Sequence, residues 1–135
     1  MALAHAGWVH NYLGQPNDAI QALERSMRLS PRDPTLFRTQ TALAFAHLFQ
    51  GEFEQAISWA RRAMEGNPNY TVTYRALACA LAHAGRLHEA QAVIQRLATL
   101  LPDVSFRTLP ERAVFKHSGK LDLINEGLRL AGVPE

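Results

Sequence analysis

Three segments of this chain repeat one another in a way that few folds accommodate. Gly14 to Pro31, Gly51 to Pro68 and Gly85 to Pro102 each begin with Gly and reach Pro seventeen residues later. Each has Ala five residues after its Gly, at Ala19, Ala56 and Ala90. Seven residues further stand Ser26, Ala63 and Leu97, and five more reach the prolines. At background usage of roughly 7% Gly, 8% Ala and 5% Pro, two extra copies of that triple arise by chance about once in ten million alignments. The period is 37 residues, then 34. Self-similarity at about 20–50 residues marks stacked units, none of which buries its apolar face alone.

Each spacing has a physical cause. The three glycines end a helix, since glycine takes the left-handed conformation there without a Cβ penalty. Pro16 sits where a new helix tolerates it. Acidic residues (Asp18, Glu54, Glu89) open that second helix and arginines (Arg28, Arg62, Arg96) gather near its end, both complementing the helix dipole. The alanines let two helices approach closely, and the prolines stop the second helix and turn the chain. The pattern predicts helices near 2–13, 16–29, 34–50, 52–65, 71–84 and 86–100. Asp33-Pro34 reads as an N-cap followed by Pro at the first helical position. The three extra residues of the 37-residue period predict a third helix lengthened at its N-terminal end.

After Pro102 the period fades. A helix over 104–115 is suggested, broken at Pro110, followed by one near 119–131 capped by Ser118. Its inner stripe would be Leu121, Ile124 and Leu128, and Gly132 and Pro134 would end it. The expected fold is an all-α solenoid of helix-turn-helix units. It has three repeats over 1–102 (1–32, 33–69, 70–102) and a helical cap over 103–135 that covers the last apolar face.

Composition narrows the function. Hydrophobic residues make up 47% of the 135 and charged residues 19%, which excludes a disordered chain. Fourteen Lys and Arg against twelve Asp and Glu leave +2, and the arginines are spread through the repeats rather than gathered in a stripe, so nucleic acid is not expected. The longest apolar run, Ala76 to Ala82, falls far short of the roughly 18 residues of a membrane span. No basic segment opens a secretory signal. A soluble cytoplasmic chain is expected. Its first helix starts almost at Met1, which suggests a piece of a larger protein. Paired histidines, His5/His10 and His83/His88, are five apart, the wrong spacing for two metal ligands on one helix face. Ser118-Gly119-Lys120 lacks the earlier glycine of a phosphate loop, Val114 standing there instead. Cys79 with His83 one turn on lies on a small-residue face and reads as packing. No metal, no cofactor and no enzymatic activity are expected.

The unit length and the placement of Gly, Ala and Pro resemble the tetratricopeptide repeat, over about residues 1–102. The family's small-residue pair and preceding leucine are matched by Leu3 with Ala6-Gly7, Leu43-Ala44 and Leu77-Ala78. Its tryptophan is replaced by Leu3, Gln40 and Tyr74, and its aromatic by His10, His47 and Leu81. Further on, Arg61-Arg62-Ala63 with Asn67-Pro68-Asn69-Tyr70, and the ending from Glu126-Gly127-Leu128-Arg129 to Pro134-Glu135, resemble the C-terminal repeat region of bacterial multidomain class III adenylate or guanylate cyclases. That resemblance implies the non-catalytic end of such a protein.

The resemblance also implies a groove lined by the first helix of each pair. Matching positions that would meet a partner are Trp8, Asn11 and Tyr12; Arg38, Thr41, Phe45 and Phe49; and Arg75 and His83. Aromatics and arginine are the types that dominate binding hot spots. Phe45 and Phe49 suit a core between helices better than a binding site, and Arg38 and Arg75 equally suit solvated or intrahelical pairing. The carboxylate clamp of chaperone-tail receptors in this family is missing, with Ala4, Trp8, Ala42, Val72 and Ala76 in its places. The expected ligand is therefore an apolar or amphipathic protein segment. The resulting expectation is a non-catalytic protein–protein interaction module, a regulatory part of a larger signalling protein. The alternatives are a self-association module and, with no motif behind it, an enzyme or nucleotide-binding domain.

Overall fold

The computed structural model describes residues 2–105, 108, 115 and 118–134, with side chains from His5 onward. Its helices are α1 (Ala2–Tyr12), α2 (Pro16–Leu29), α3 (Leu36–Phe49), α4 (Phe53–Gly66), α5 (Thr71–His83), α6 (Leu87–Leu100) and α7 (Leu121–Leu130). There is no strand among the described residues. The helix suggested over 104–115 lies largely outside them.

One turn joins the two helices of every pair. Gly14, Gly51 and Gly85 have φ of 71°, 77° and 81°. Their amides donate to Asn11, Leu48 and Ala82 carbonyls at 3.0–3.1 Å. The next amides, of Gln15, Glu52 and Arg86, donate to His10, His47 and Leu81 carbonyls at 2.7–2.9 Å. This double return satisfies the last carbonyls of the helix and reverses the chain. In the first two copies an imidazole reinforces it. His10 Nδ1 donates to Gln15 Oε1 at 2.7 Å and His47 Nδ1 to Glu52 Oε1 at 3.0 Å.

The turns fold α1 onto α2, α3 onto α4 and α5 onto α6, and α2 then packs on α3 and α4 on α5. Small residues set how closely the helices approach. Ala19, Ala56, Ala63 and Ala90 are fully buried, and a Cβ on Gly7 would collide with the Leu23 side chain. The second helices are amphipathic, with an inward stripe such as Ala19 and Leu23, or Ala56, Ile57, Ala60 and Ala63. The first helices α3 and α5 are apolar around most of their circumference, and Thr41–Ala46 and Thr73–Ala82 are buried without a break. A helix of that kind needs neighbours on every side.

Two local expectations are corrected. The third helix is no longer than the others. It runs over 14 residues, as do α2, α4 and α6. The extra residues form a turn before it, in which Asp33 Oδ1 accepts from the Thr35 amide and hydroxyl, both at 2.8 Å. Asp33 thus caps a turn rather than the helix, a competition with helix formation that short polar side chains favour. Ser118 behaves likewise. Its Oγ accepts from the Lys120 amide at 3.0 Å and donates to the Phe115 carbonyl at 2.7 Å, one turn ahead of α7.

The expectation for the C-terminal cap meets a larger difference. α7 packs principally on α5 and touches α6 only marginally. It lies on the first helix of the third pair, and the end of α6 is not its main surface.

Ala56→Leu adds volume where the helix pair has no space and is expected to destabilise the fold by about 1–3 kcal/mol. Urea denaturation followed by circular dichroism measures this; an unchanged midpoint would mean that Ala56 does not set the helix spacing.

Candidate binding groove

α1, α3 and α5 touch one another in sequence and present one side chain per turn along a common face. α1 contributes Trp8 and Tyr12, and α3 contributes Phe45 and Phe49, each pair at the i,i+4 spacing of one helix face. Trp8 packs on Tyr12 and on Phe45, both at 5.8 Å between ring centroids, and Phe45 on Phe49 at 6.1 Å. α5 continues the face with Cys79 and His83, and the His83 ring stacks on Phe53 at 5.4 Å.

The chain's own C-terminal part occupies this groove. Phe115 enters the aromatic row with its ring centroid 5.4 Å from Tyr12, 5.1 Å from Phe45 and 5.3 Å from Phe49, and is 2% exposed. The Ser118 carbonyl presses on Gly14, where a Cβ would collide with it. α7 then lies along α5. His83 Nε2 donates to the Leu123 carbonyl at 2.6 Å. The Cys79 thiol lies 3.7 Å and 3.8 Å from the Leu123 and Ile124 carbonyls. Gly127 makes the approach possible, because a Cβ there would run into Cys79 Sγ and stand 3.1 Å from the Cys79 Cα and from His83 Cδ2. Ile124 and Leu128 flank it, each 1% exposed.

The residues read from the sequence as groove contacts therefore divide. Trp8, Tyr12, Phe45, Phe49 and His83 come together on one face and all lie against the C-terminal segment or the aromatic row around it. Asn11 and Thr41 serve instead as links between helices. Asn11 is fully buried and its Nδ2 donates to the Ala42 carbonyl at 2.9 Å, joining α1 to α3. The Thr41 hydroxyl donates to the Phe37 carbonyl at 2.8 Å and accepts from the Thr73 hydroxyl at 2.7 Å, joining α3 to α5. Arg75 is buried, at 5% exposure. Arg38 is exposed, its guanidinium 5.9 Å from the ring centroids of both Phe37 and Tyr70.

Sequence reasoning missed Phe115, Gly127 and the contact of Ser118 on Gly14. Phe115 belongs to no periodic pattern. One signal was present, because the unbroken apolar run Ala76 to Ala82 leaves α5 without a polar face to turn toward an open groove.

Electrostatics match the geometry. Burial raises the Tyr12 phenol above its ordinary value of 10.0, with a smaller push from the Tyr70 phenol. Burial also raises Tyr70, against the pull of Arg38 and Arg75. The α1–α3 part of the groove is aromatic, with Phe45, Phe49 and Phe115 buried and Trp8 and Tyr12 partly so. Among the described residues no group of His, Cys, Asp or Glu is placed to hold a metal ion. The chemistry available is the grip of a bulky apolar side chain and of a helix backbone.

Both phenols are held neutral by the fold, so their contribution to stability is fully present below about pH 10 and is lost as pH rises through their raised values. Phe115→Ala is expected to return water to Tyr12 and lower its titration midpoint toward its ordinary value, with Tyr70 unmoved, as read by NMR titration of the tyrosine rings. An unchanged Tyr12 midpoint would mean that Phe115 does not seal the groove.

The comparisons with known proteins agree with this architecture. A family profile described as Tetratricopeptide repeat matches residues 1–68, just over half of the chain. Among solved structures, the chain is similar to the crystal structure of MamA, with a TM-score of 0.70 and 22% identity over 96% of this chain and 74% of that one. At that identity the likeness speaks to the fold alone. No curated protein matches the chain. With the profile spanning the first two helix pairs and the same glycine turn closing the third, the chain belongs to the tetratricopeptide-repeat family.

Proposed function

We propose that this chain is a non-catalytic protein–protein interaction module whose groove binds an apolar or amphipathic helical segment of a partner. Tetratricopeptide repeats mediate protein–protein interaction, and the groove described above supports that use. The observation that carries the reading is the aromatic row of Tyr12, Phe45 and Phe49 gripping Phe115, with α7 laid on α5 beside it. This is helix-in-groove recognition carried out within one chain. The two groups nearest to a nucleophile pair, Cys79 and His83, are both directed at backbone carbonyls, which supports a non-catalytic role.

The host we propose is a larger bacterial signalling protein such as a nucleotide cyclase, with this chain as its regulatory, non-catalytic part in the cytoplasm. The sequence resemblance of 61–70 and 126–135 supports the host. No helix among the described residues is long and apolar enough to cross a membrane. A second reading, self-association, is supported by Val9 near the end of α1 and Leu13 just after it, which expose 37% and 53% of their surface.

Selection of helical peptides displayed against the full chain tests the reading. Aromatic-led amphipathic helices are expected to be enriched, and Trp8→Ala with Tyr12→Ala to weaken their binding about tenfold or more, a hot-spot loss, while helicity is retained. Enrichment of acidic carboxylate-ended tails would overturn it. Light scattering over a concentration series checks the second reading, for which Val9→Glu with Leu13→Glu is expected to abolish a dimer.

A further inference from the structure

We propose that Phe115, Ser118 and α7 form a built-in competitor, an imitation of the partner that holds the groove closed and yields to an external helix of the same chemistry. The inference rests on the interaction reading above and adds the regulation of that groove and the pattern of its ligand.

Four features make this occupant displaceable. α7 has ten residues, and an isolated helix of fewer than roughly 12–15 residues is marginal in water, so its helicity depends on the groove that receives it. Gly127 in its middle weakens it by about a further 1 kcal/mol relative to alanine. Among the described helices it is supported by α5, with only marginal contact to α6. The fourth is a polar atom left unmet on α7. Asn125 Oδ1 on α7 is buried with no hydrogen-bond partner among the described residues, as is Asn11 Oδ1 on α1. An unmet buried acceptor costs about 1–3 kcal/mol. A partner that presents an apolar or donating group in place of Asn125 avoids that loss.

The occupant also spells out what the groove accepts. An aromatic side chain fills the space between Tyr12, Phe45 and Phe49. Nine residues later comes a buried aliphatic residue at Ile124, then a glycine at Gly127 that clears Cys79, then Leu128. A first-turn carbonyl receives the His83 Nε2–H. The ligand class is therefore a short helix with an aromatic lead and a small residue between two aliphatic ones. Being tethered, the in-cis copy acts at an effective concentration on the order of millimolar, which an external helix must overcome.

The test uses the full chain and a fluorescein-labelled peptide of residues 112–134 as the probe. The opened variant is Phe115→Ala with Gly127→Leu, which alters the occupant and leaves the groove residues intact. The peptide is expected to bind the opened variant at least tenfold more tightly than the wild type, and the same peptide with F115A to lose that binding. Equal affinity for the two proteins, or no binding to an opened variant that keeps its helicity, overturns the proposal. A wild-type dimer that the opened variant loses also overturns it, in favour of a second copy as the occupant.

Should the opened variant fail to fold, native-state hydrogen exchange of the wild type decides instead. Amides of Ile124–Leu130 exchanging at least tenfold faster than those of Ala76–Ala82 support the proposal, and exchange of both together overturns it. Helices from the display selection separate the two levels. Equal binding to wild type and opened variant removes the competitor but leaves the groove reading standing. Binding to neither removes the groove reading itself.

Discussion

Each helix pair in this chain is closed by one arrangement of two backbone hydrogen bonds around a left-handed glycine. At Gly14, Gly51 and Gly85 the amide of the glycine and that of its successor both return to the helix just finished. The geometry fixes the angle at which the second helix leaves. It also turns the alanine five residues later inward, and Ala19, Ala56 and Ala90 are fully buried. Close approach within each pair then brings α1, α3 and α5 into a continuous row, and that row is the groove. Changing the turn would change the helix angle, and with it the row that the binding surface depends on.

The groove is the product of this stacking and is chemically uneven. Its α1–α3 end is aromatic. Its α5 end is made of small side chains, where a helix backbone comes within reach of the Cys79 thiol and the His83 imidazole. Polar groups at groove positions are consumed in joining the rows, as the Asn11 amide on Ala42 and the Thr41 and Thr73 hydroxyls show. These bonds in a dry interior are worth more than surface ones and fix the register of one pair against the next. The exposed charges at the pair edges, such as Arg86 with Glu89 and Glu54, lie in water and contribute little.

What was legible in the sequence was what the chain decides locally. The Gly–Ala–Pro spacing specifies turn, approach and stop within one unit, so helices α1 to α6 could be read from it. The Asp33 and Ser118 readings went astray by one turn because a short polar side chain satisfies a turn amide as readily as a helix one. The position of α7 was out of reach for a different reason. Its inner stripe of Ile124 and Leu128 says that one face is buried, but amphipathicity carries no address. Whether that face meets α6 or α5 depends on Gly127 against Cys79 and on Phe115 against Tyr12, contacts between residues dozens of positions apart with no shared periodicity. The division of Phe45 and Phe49 between core and groove had the same cause, since they are both once Phe115 covers them.

The contact of the Ser118 carbonyl on Gly14 has a consequence for how the chain folds. A repeat array is ordinarily one-dimensional. Each unit touches its neighbours, stability is a sum over units and interfaces, and folding can begin anywhere and spread. Here the last part of the chain comes back to the first turn, closing a loop of about a hundred residues. While it holds, that closure couples the ends, so docking of the last part and order in the first turn stabilise one another. It also raises the mean sequence separation of contacts, which slows folding relative to an open array of the same helices.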